Sequence, residues 1–457
     1  MAVSAARAAA FDILLRLERE ASYASELLHS GNYRRLSTAD HALATELVMG
    51  VLRWRSRLDD QIATASSQPL AKLDLEVLIA LRLALYQFGW LDRIPPHAAL
   101  HESVELMKGA RKRSAAPFVN AVLRKLAARA PNWFKPSDIE RYTSADAVSR
   151  ALAHPLWLVE RWVGHYGLDV AQKICRHNQT IPTTAIRLRV PSAEAELLTA
   201  GIDLAPGSLL NSARRVNAGD VTKTAAFRRG RAAIQDEASQ LVATLVSIEG
   251  KSGKGRARRI LDCCAAPGGK TLAIADRNPD ASIVATELHL HRARLLKELT
   301  RTIDSPCPIH IIVTDARQLP FSISFDRVLA DVPCSGTGTL ARNPEIKWRL
   351  SPGDLHDLQA RQLAILASAL AQVAPKGRLI YSTCSLEKEE NEDVVEQTVA
   401  SNKSFSVLDC RAELERLKTR GEFRWSDIAS LTRGPYLRTI PGIHACDGFF
   451  AAILEKT

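Results

Sequence analysis

Apolar residues recur at helical spacing through the first 130 residues, then give way to short apolar runs separated by turn residues. Ser37-Thr38-Ala39-Asp40 reads as a helix start, with a hydroxyl able to cap and a carboxylate in the first turn. Leu43, Leu47, Val48, Val51 and Leu52 come next on one helical face. Leu78, Leu81 and Leu85 repeat the pattern, and Phe118, Val122 and Leu126 do so again, with Pro95-Pro96 breaking the series between helices. Amphipathic helices without a strand signal predict an all-α bundle. Residues 131–142 read as a linker, and His154-Pro155-Leu156-Trp157 begins a second stretch. Residues 185–190 then read as a strand, and short strands and turns punctuated by Gly201, Pro206-Gly207 and Gly219 continue to about Gly230. This predicts a small α/β module packed onto the C-terminal half of the chain. Gln235-Asp236-Glu237 opens a further helix. Beyond it the runs ending at Asp262, Thr286, Thr314, Ala330 and Ile380 are rich in Val, Ile and Leu, as buried strands of a parallel sheet are.

Composition narrows the class. A chain of 457 residues with 46% hydrophobic and 24% charged residues is an ordinary globular protein of about three domains, with core enough to need no disulfide staples. A formal charge of +11 favours a polyanionic partner. The eight cysteines show neither CxxC nor zinc-like spacing, so no metal is expected. No run approaches the ~18 apolar residues of a membrane span, and residues 1–10 lack a signal-peptide core. A cytoplasmic location is expected, where free thiols can act as nucleophiles.

Candidate chemistry collects at the strand ends, where open α/β sheets bind ligands. After Asp262, Cys263-Cys264-Ala265-Ala266-Pro267-Gly268-Gly269-Lys270-Thr271 turns from strand to helix. Small residues there let a ligand approach the backbone, and the helix start offers free N–H groups. The turn is neither GxGxxG nor a nucleotidase phosphate loop. Glu287 ends the next strand, placed to accept hydrogen bonds from ribose hydroxyls, and Asp315 comes after the third, placed for an adenine amino group. Acids at three strand ends (Glu287, Asp315, Asp331) match an adenosine-type cofactor with no phosphate to repel them. Two cysteines, in Asp331-Val332-Pro333-Cys334-Ser335-Gly336 and Tyr381-Ser382-Thr383-Cys384-Ser385, each lie just past a buried run and would face one crevice. Two thiols and a carboxylate at one site point to covalent chemistry. The bland reading of each residue alone is a cap, a turn or a core thiol.

The segments 261–271, 331–338 and Ser382-Thr383-Cys384-Ser385 resemble the cytosine-5 RNA methyltransferases that use S-adenosylmethionine. At the front, Glu46-Leu47-Val48-Met49-Gly50-Val51-Leu52-Arg53 and Pro95-Pro96-His97-Ala98-Ala99-Leu100-His101-Glu102 resemble the NusB-type RNA-binding helical domain. With Asp447-Gly448-Phe449-Phe450 at the end, the whole chain is similar to the Sun/RsmB branch, bacterial enzymes that methylate a cytosine of small-subunit ribosomal RNA. Cys263 beside Cys264, and Glu287 where Asp is frequent, depart modestly from the pattern; residues 411–439 match it least.

The resemblance implies a multidomain protein. A NusB-like domain over residues 1–130, with Arg34, Arg35, Arg53, Arg55, Arg111, Lys112 and Arg113 studding its surface, would hold RNA. A linker and small α/β module would span 131–230. A Rossmann-like methyltransferase domain with a mostly parallel sheet would span 231–457. The cofactor would be S-adenosylmethionine, held by Cys264, Ala265, Ala266, Pro267, Gly268, Gly269, Lys270, Glu287, Asp315 and Asp331. The partner would be 16S ribosomal RNA, and the chain is expected to act as a monomer. Carbon 5 of cytosine is a poor nucleophile until a thiolate adds at C6. By resemblance Cys384 is that thiolate, Cys334 assists product release, and Asp331 bonds the base edge. DNA cytosine-5 methyltransferases instead take the nucleophile from a Pro-Cys motif, here Cys334, and sequence physics alone does not choose. Lys270 is a candidate cation to activate the thiol. Lys251, Lys254, Arg256, Arg258 and Arg259 form a basic stretch before the sheet. Two rival readings stand: a transfer RNA cytosine-5 methyltransferase, and a catalytically silent RNA-binding or assembly factor.

Overall fold

The computed structural model describes residues 3–20, 22–33, 35–128, 142–248, 258–303 and 305–457. The linker at 131–141 and the basic residues Arg34, Lys251, Lys254 and Arg256 lie outside the described residues. The chain divides into two compact units. One comprises Met1–Ile181 with Leu340–Arg349, the other Pro182–Thr339 with Leu350–Thr457.

The first unit is helical. Its principal helices are Ala5–Arg19, Thr38–Ala65, Leu75–Trp90, Pro96–Gly109 and Ala116–Ala127, followed by Ala145–Ala151, Leu156–Tyr166 and Leu168–Asn178. Ser37 caps the longest, its Oγ accepting the Asp40 N–H at 3.1 Å. That helix buries Leu47, Val48, Val51 and Leu52 as the periodicity predicts. Leu75–Trp90 is apolar nearly all round because it runs through the core; Val77, Ile79, Leu81, Leu83 and Leu85 are all buried. Gly50 is where these two helices come closest: a Cβ there would stand 1.9 Å from the Tyr86 ring. Tyr86 in turn donates to Glu46. Pro96 occupies the first position of its helix, where its missing N–H costs nothing. One expectation is corrected. Arg53 is not a surface residue: it is buried and donates to the Ala341 carbonyl at 3.1 Å. Arg55 pairs with Glu18 at 2.9 Å.

Leu340–Arg349 belongs to this helical unit although it lies between strands of the other in sequence. Glu345 accepts the Ala24 N–H at 2.9 Å, Lys347 Nζ donates to the Arg53 carbonyl at 2.9 Å, and Trp348 Nε1 to the Leu52 carbonyl at 2.6 Å. Burial pushes the Lys347 ammonium well below its usual pKa.

The second unit holds two sheets. In the small one, β1 (Thr184–Leu188), β2 (Asp203–Pro206), β3 (Ala213–Ala218) and β4 (Ala232–Ile234) pair antiparallel in the order β2-β3-β1-β4. Arg187 of β1 and Arg189 just past it both bond Asp276, near the end of the helix Gly269–Arg277. Glu237 accepts the N–H groups of Ser208, Leu209 and Leu210 at 2.7, 2.6 and 2.9 Å. These bonds fasten the small sheet to the large one's helices.

The large sheet contains β5 (Arg258–Asp262), β6 (Ala281–Glu287), β7 (Ile309–Val313), β8 (Phe325–Asp331) and β9 (Val373–Thr383), all parallel in the order β7-β6-β5-β8-β9. β10 (Phe405–Leu408), β11 (Thr432–Arg433), β12 (Tyr436–Arg438) and β13 (Phe450–Lys456) extend it antiparallel, with β13 against β9. Strand order reverses between β5 and β8. A crevice therefore opens beyond their carboxyl ends. No described helix is long and apolar enough to cross a membrane.

Trp348→Ala removes a half-buried ring and leaves the Glu345–Arg349 segment without its indole donor. It is expected to cost about 2 kcal/mol and lower the unfolding temperature by about 4–8 °C. Calorimetry checks this; unchanged melting would show that the segment does not anchor there.

Candidate active site

Strands β8 and β9 are neighbours, so the turns leaving them begin side by side. The Val332 N–H bonds the Ser382 carbonyl at 3.0 Å, extending the ladder past Asp331. The two thiols then meet, with Cys334 Sγ 3.4 Å from Cys384 Sγ. Glu390 sets that distance. Its fully buried carboxylate accepts the Ser335 N–H at 2.8 Å, the Gln362 amide at 2.9 Å, and the hydroxyls of Ser335 and Ser385. Gln362 also donates to the Pro333 carbonyl at 2.9 Å. One carboxylate thus ties the turn of Cys334 to the turn of Cys384. Burial raises the Glu390 pKa, and the hydrogen bonds from Ser335, Ser385 and Gln362 oppose the rise. Asn391 braces the second turn, accepting from Thr383 Oγ1 and donating to the Ser385 carbonyl at 2.9 Å. Behind it, the Gly338 N–H bonds the Cys384 carbonyl at 2.9 Å. A Cβ on Gly338 would lie 2.1 Å from the Gly448 carbonyl oxygen, so only glycine fits this crossing.

Asp331 projects from the end of β8. Lys270 Nζ donates to its Oδ2 at 2.8 Å and Ser382 Oγ to its Oδ1 at 2.7 Å. Lys270 also lies 5.0 Å from the centre of the Phe449 ring. Burial alone would lower the Lys270 pKa. The charge and hydrogen bond of Asp331, with a smaller contribution from Cys384, outweigh it and the pKa is raised. Lys270 therefore stays a cation within the electrostatic reach of Cys384. The Cys334 thiol is pushed well above its usual pKa by its hydrogen bond with Cys384 and by burial. Cys334 is held as a thiol.

The glycine turn is stitched between β6 and β8. The Cys263 N–H bonds the Leu329 carbonyl and the Ala265 N–H the Thr286 carbonyl, each at 2.9 Å, and Thr286 Oγ1 bonds the Cys263 carbonyl at 2.7 Å. Cys264 is half-buried, its thiol raised by burial. The Ala266-Pro267 bond is cis, and the Ala266 carbonyl takes Arg292 at 2.9 Å. Gly268 adopts φ +114°, and a Cβ there would stand 2.6 Å from Leu296 Cδ1, so both backbone and space demand glycine. The helix starts at Gly269.

The acids differ from one another. Glu287 is 4% exposed at the end of β6 and accepts the His289 N–H at 2.9 Å. Asp315 lies just past β7, but its carboxylate is occupied by Arg317, through the backbone N–H at 2.9 Å and the guanidinium; this pair lowers its pKa. Asp262, at the end of β5, is 1% exposed. Its Oδ2 accepts from Thr271 at 2.7 Å while Oδ1 has no partner among the described residues. Burial raises it to about 7. In the sequence Asp262 reads only as a strand end, and Glu390-Asn391-Glu392, opening the helix after Cys384, reads either as a match to the resembled family or as a first-turn acidic cluster; a carboxylate directly before a glycine turn is the signal available for Asp262. Direct contacts join Cys334 with Cys384 and Asp331 with Lys270. The glycine turn and Glu287 stand at the adjoining strand ends, β5 and β6.

The family described as 16S rRNA methyltransferase RsmB/F matches residues 254–455. A probable ribosomal RNA small subunit methyltransferase B of Bacillus subtilis is 33% identical, with 100% of both chains covered. The chain belongs to the RsmB/F methyltransferase family. The ribosomal RNA small subunit methyltransferase B of Vibrio cholerae is 32% identical, covering 91% of this chain and 90% of the relative. The NusB family matches residues 4–128, the helical front. The crystal structure of PH0851 shares the fold along both full chains, at 22% identity and a TM-score of 0.77.

In this RsmB/F chain Glu390→Ala removes the acceptor of four hydrogen bonds. It is expected to cost roughly 3 kcal/mol and to speed alkylation of Cys384 and Cys334 by iodoacetamide as the turns loosen. Labelling rates and melting curves check this; unaltered rates would mean that Glu390 does not hold the thiols.

Proposed function

We propose that this protein transfers a methyl group from S-adenosylmethionine to C5 of a cytosine in small-subunit (16S) ribosomal RNA, through a covalent bond between Cys384 and C6. The observation that carries this reading is the thiol pair, 3.4 Å apart at two adjacent strand ends. Beside it stands a carboxylate–lysine pair at 2.8 Å. Methylation of an exocyclic nitrogen or a ribose hydroxyl has no use for two thiols.

The residues of the cofactor half fit S-adenosylmethionine. The turn of small residues leads into a helix start at Gly269, Glu287 ends the neighbouring strand β6, and Asp262 presents a buried oxygen with no partner among the described residues. Residues 264–270 with Glu287 and Asp262 would hold it, with Asp315 available once freed from Arg317. When bound, the cofactor supplies an electrophilic methyl group. On the RNA side, Lys270 stabilises a thiolate at Cys384, which adds to C6 and makes C5 electron-rich. Asp331, at the rim of the same crevice, is placed to hydrogen-bond the base edge as charge develops. After transfer a base beside the ring takes the C5 proton, the C5–C6 double bond re-forms, and the Sγ–C6 bond breaks to return Cys384 as a thiolate, with Cys334 assisting release. The charge of Lys270, which lies within electrostatic reach of Cys384, favours Cys384 as the attacking sulfur. A paired cytosine cannot present C6, so the target is unpaired or flipped out. Residues 1–130 would bind RNA, 131–230 would help recognise it, and 231–457 would carry the catalytic residues.

Incubation of Cys334→Ala with ribosomal RNA and S-adenosylmethionine is expected to leave a covalent protein–RNA band on a denaturing gel, and Cys384→Ala none. A band from Cys384→Ala alone would reverse the roles.

Cofactor binding should depend on pH through Asp262. Below about 7 its carboxyl is mostly neutral; above, it is an anion able to pair with the ammonium end of S-adenosylmethionine. Affinity is expected to rise between about pH 6 and 8, by up to tenfold per unit below the pKa. Calorimetric titration checks this, and Asp262→Asn should bind weakly with a flat profile.

A further inference from the structure

The sheet ends at β7, and a groove of about 710 Å³ runs between that strand and the helix Leu290–Thr302. One flank carries Arg294, Lys297 and Arg301, all exposed and at helical spacings of three and four. His310 of β7, Thr300 and Ser305 also line the groove. None of the three cations has an ion-pair partner among the described residues, and no described carboxylate lines the groove. Elsewhere in this unit arginines are commonly neutralised, as Arg187 and Arg189 are by Asp276, Arg214 by Glu194 and Arg277 by Glu422.

We infer that this groove is a second RNA contact, holding phosphates of the substrate strand away from the target cytosine. The inference rests on the proposed RNA substrate and deepens it. Seven residues of helix separate Arg294 from Arg301, a rise of about 10 Å. A single strand passing along it presents two or three phosphates over such a length. The groove opens beside the crevice: Leu290 begins the helix just after β6, and Val313 ends β7, so both stand at the carboxyl ends of the strands with Glu287. A strand whose cytosine enters beyond β8 and β9 would leave across β5 and β6 toward these cations. No described strand pairs with the outward edge of β7, whose backbone N–H groups are further donors for phosphate. The rival occupant is an acidic peptide pairing with that edge. The chain's charge of +11 and a groove lining with three cations and no described carboxylate favour the polyanion.

The test compares the wild type with the triple variant Arg294→Gln, Lys297→Gln, Arg301→Gln. Filter binding measures affinity for small-subunit ribosomal RNA over a salt series, beside binding of S-adenosylmethionine and of poly-glutamate. Expected are at least about a tenfold loss of RNA affinity at low salt and a salt slope shallower by about 2–3, with cofactor binding and melting unchanged. Unaltered affinity and slope in a normally melting variant would overturn the inference while leaving the proposed function standing. Loss of poly-glutamate binding with RNA binding intact would overturn it in favour of a protein partner. A wild type that neither binds nor methylates RNA would overturn both.

Discussion

A carboxylate with no solvent, Glu390, holds the two thiols of this protein together. Parallel strands bring β8 and β9 within about 4.8 Å of each other, but the residues past their ends leave the ladder and their polar backbone groups need partners. Burying a charge is costly unless it is fully hydrogen-bonded. Glu390 meets that condition with donors from both turns: Ser335 on one side, Ser385 on the other, and Gln362 reaching across to Pro333. The same bonds that stabilise the carboxylate fix where Cys334 and Cys384 sit. Asn391, next in the chain, completes the support from below Cys384.

A second coupling runs through Lys270. It leaves the first turn of the helix after the glycine turn, so its position depends on Gly268 and on the strand-end stitching of Cys263 and Ala265. Its ammonium ends on Asp331. Glycine turn and thiol site are therefore one electrostatic assembly. A cation kept charged by Asp331 lies within reach of Cys384, while burial and the neighbouring sulfur keep Cys334 protonated.

Much of this is legible in the chain. The Ser37 cap, the break at Pro95-Pro96 and the runs that form β5 to β9 come from local spacing, and local spacing is what a sequence displays. The acids at strand ends are visible for the same reason. The hidden features depend on partners far away. Glu390 meets Ser335 from 55 residues away, and its sequence neighbourhood looks like an ordinary acidic helix start. Arg53, which reads as one more surface cation, is buried by a carbonyl 288 residues away. Residues 340–349 carry no periodicity to show that they fold with the helical unit. Asp315 shows a limit of another kind: its neighbour Arg317 occupies the carboxylate, a local pairing that position at a strand end does not disclose.

The atom that receives the methyl group decides whether the twin thiols do what their geometry suits them for. Small-subunit ribosomal RNA lacking the modification can be incubated with the protein and methyl-labelled S-adenosylmethionine, digested to nucleosides, and resolved by chromatography and mass spectrometry. The twin-thiol site predicts label in 5-methylcytidine and nowhere else, and none with Cys384→Ala. Label on an exocyclic nitrogen or a ribose oxygen, or full incorporation without Cys384, would contradict it.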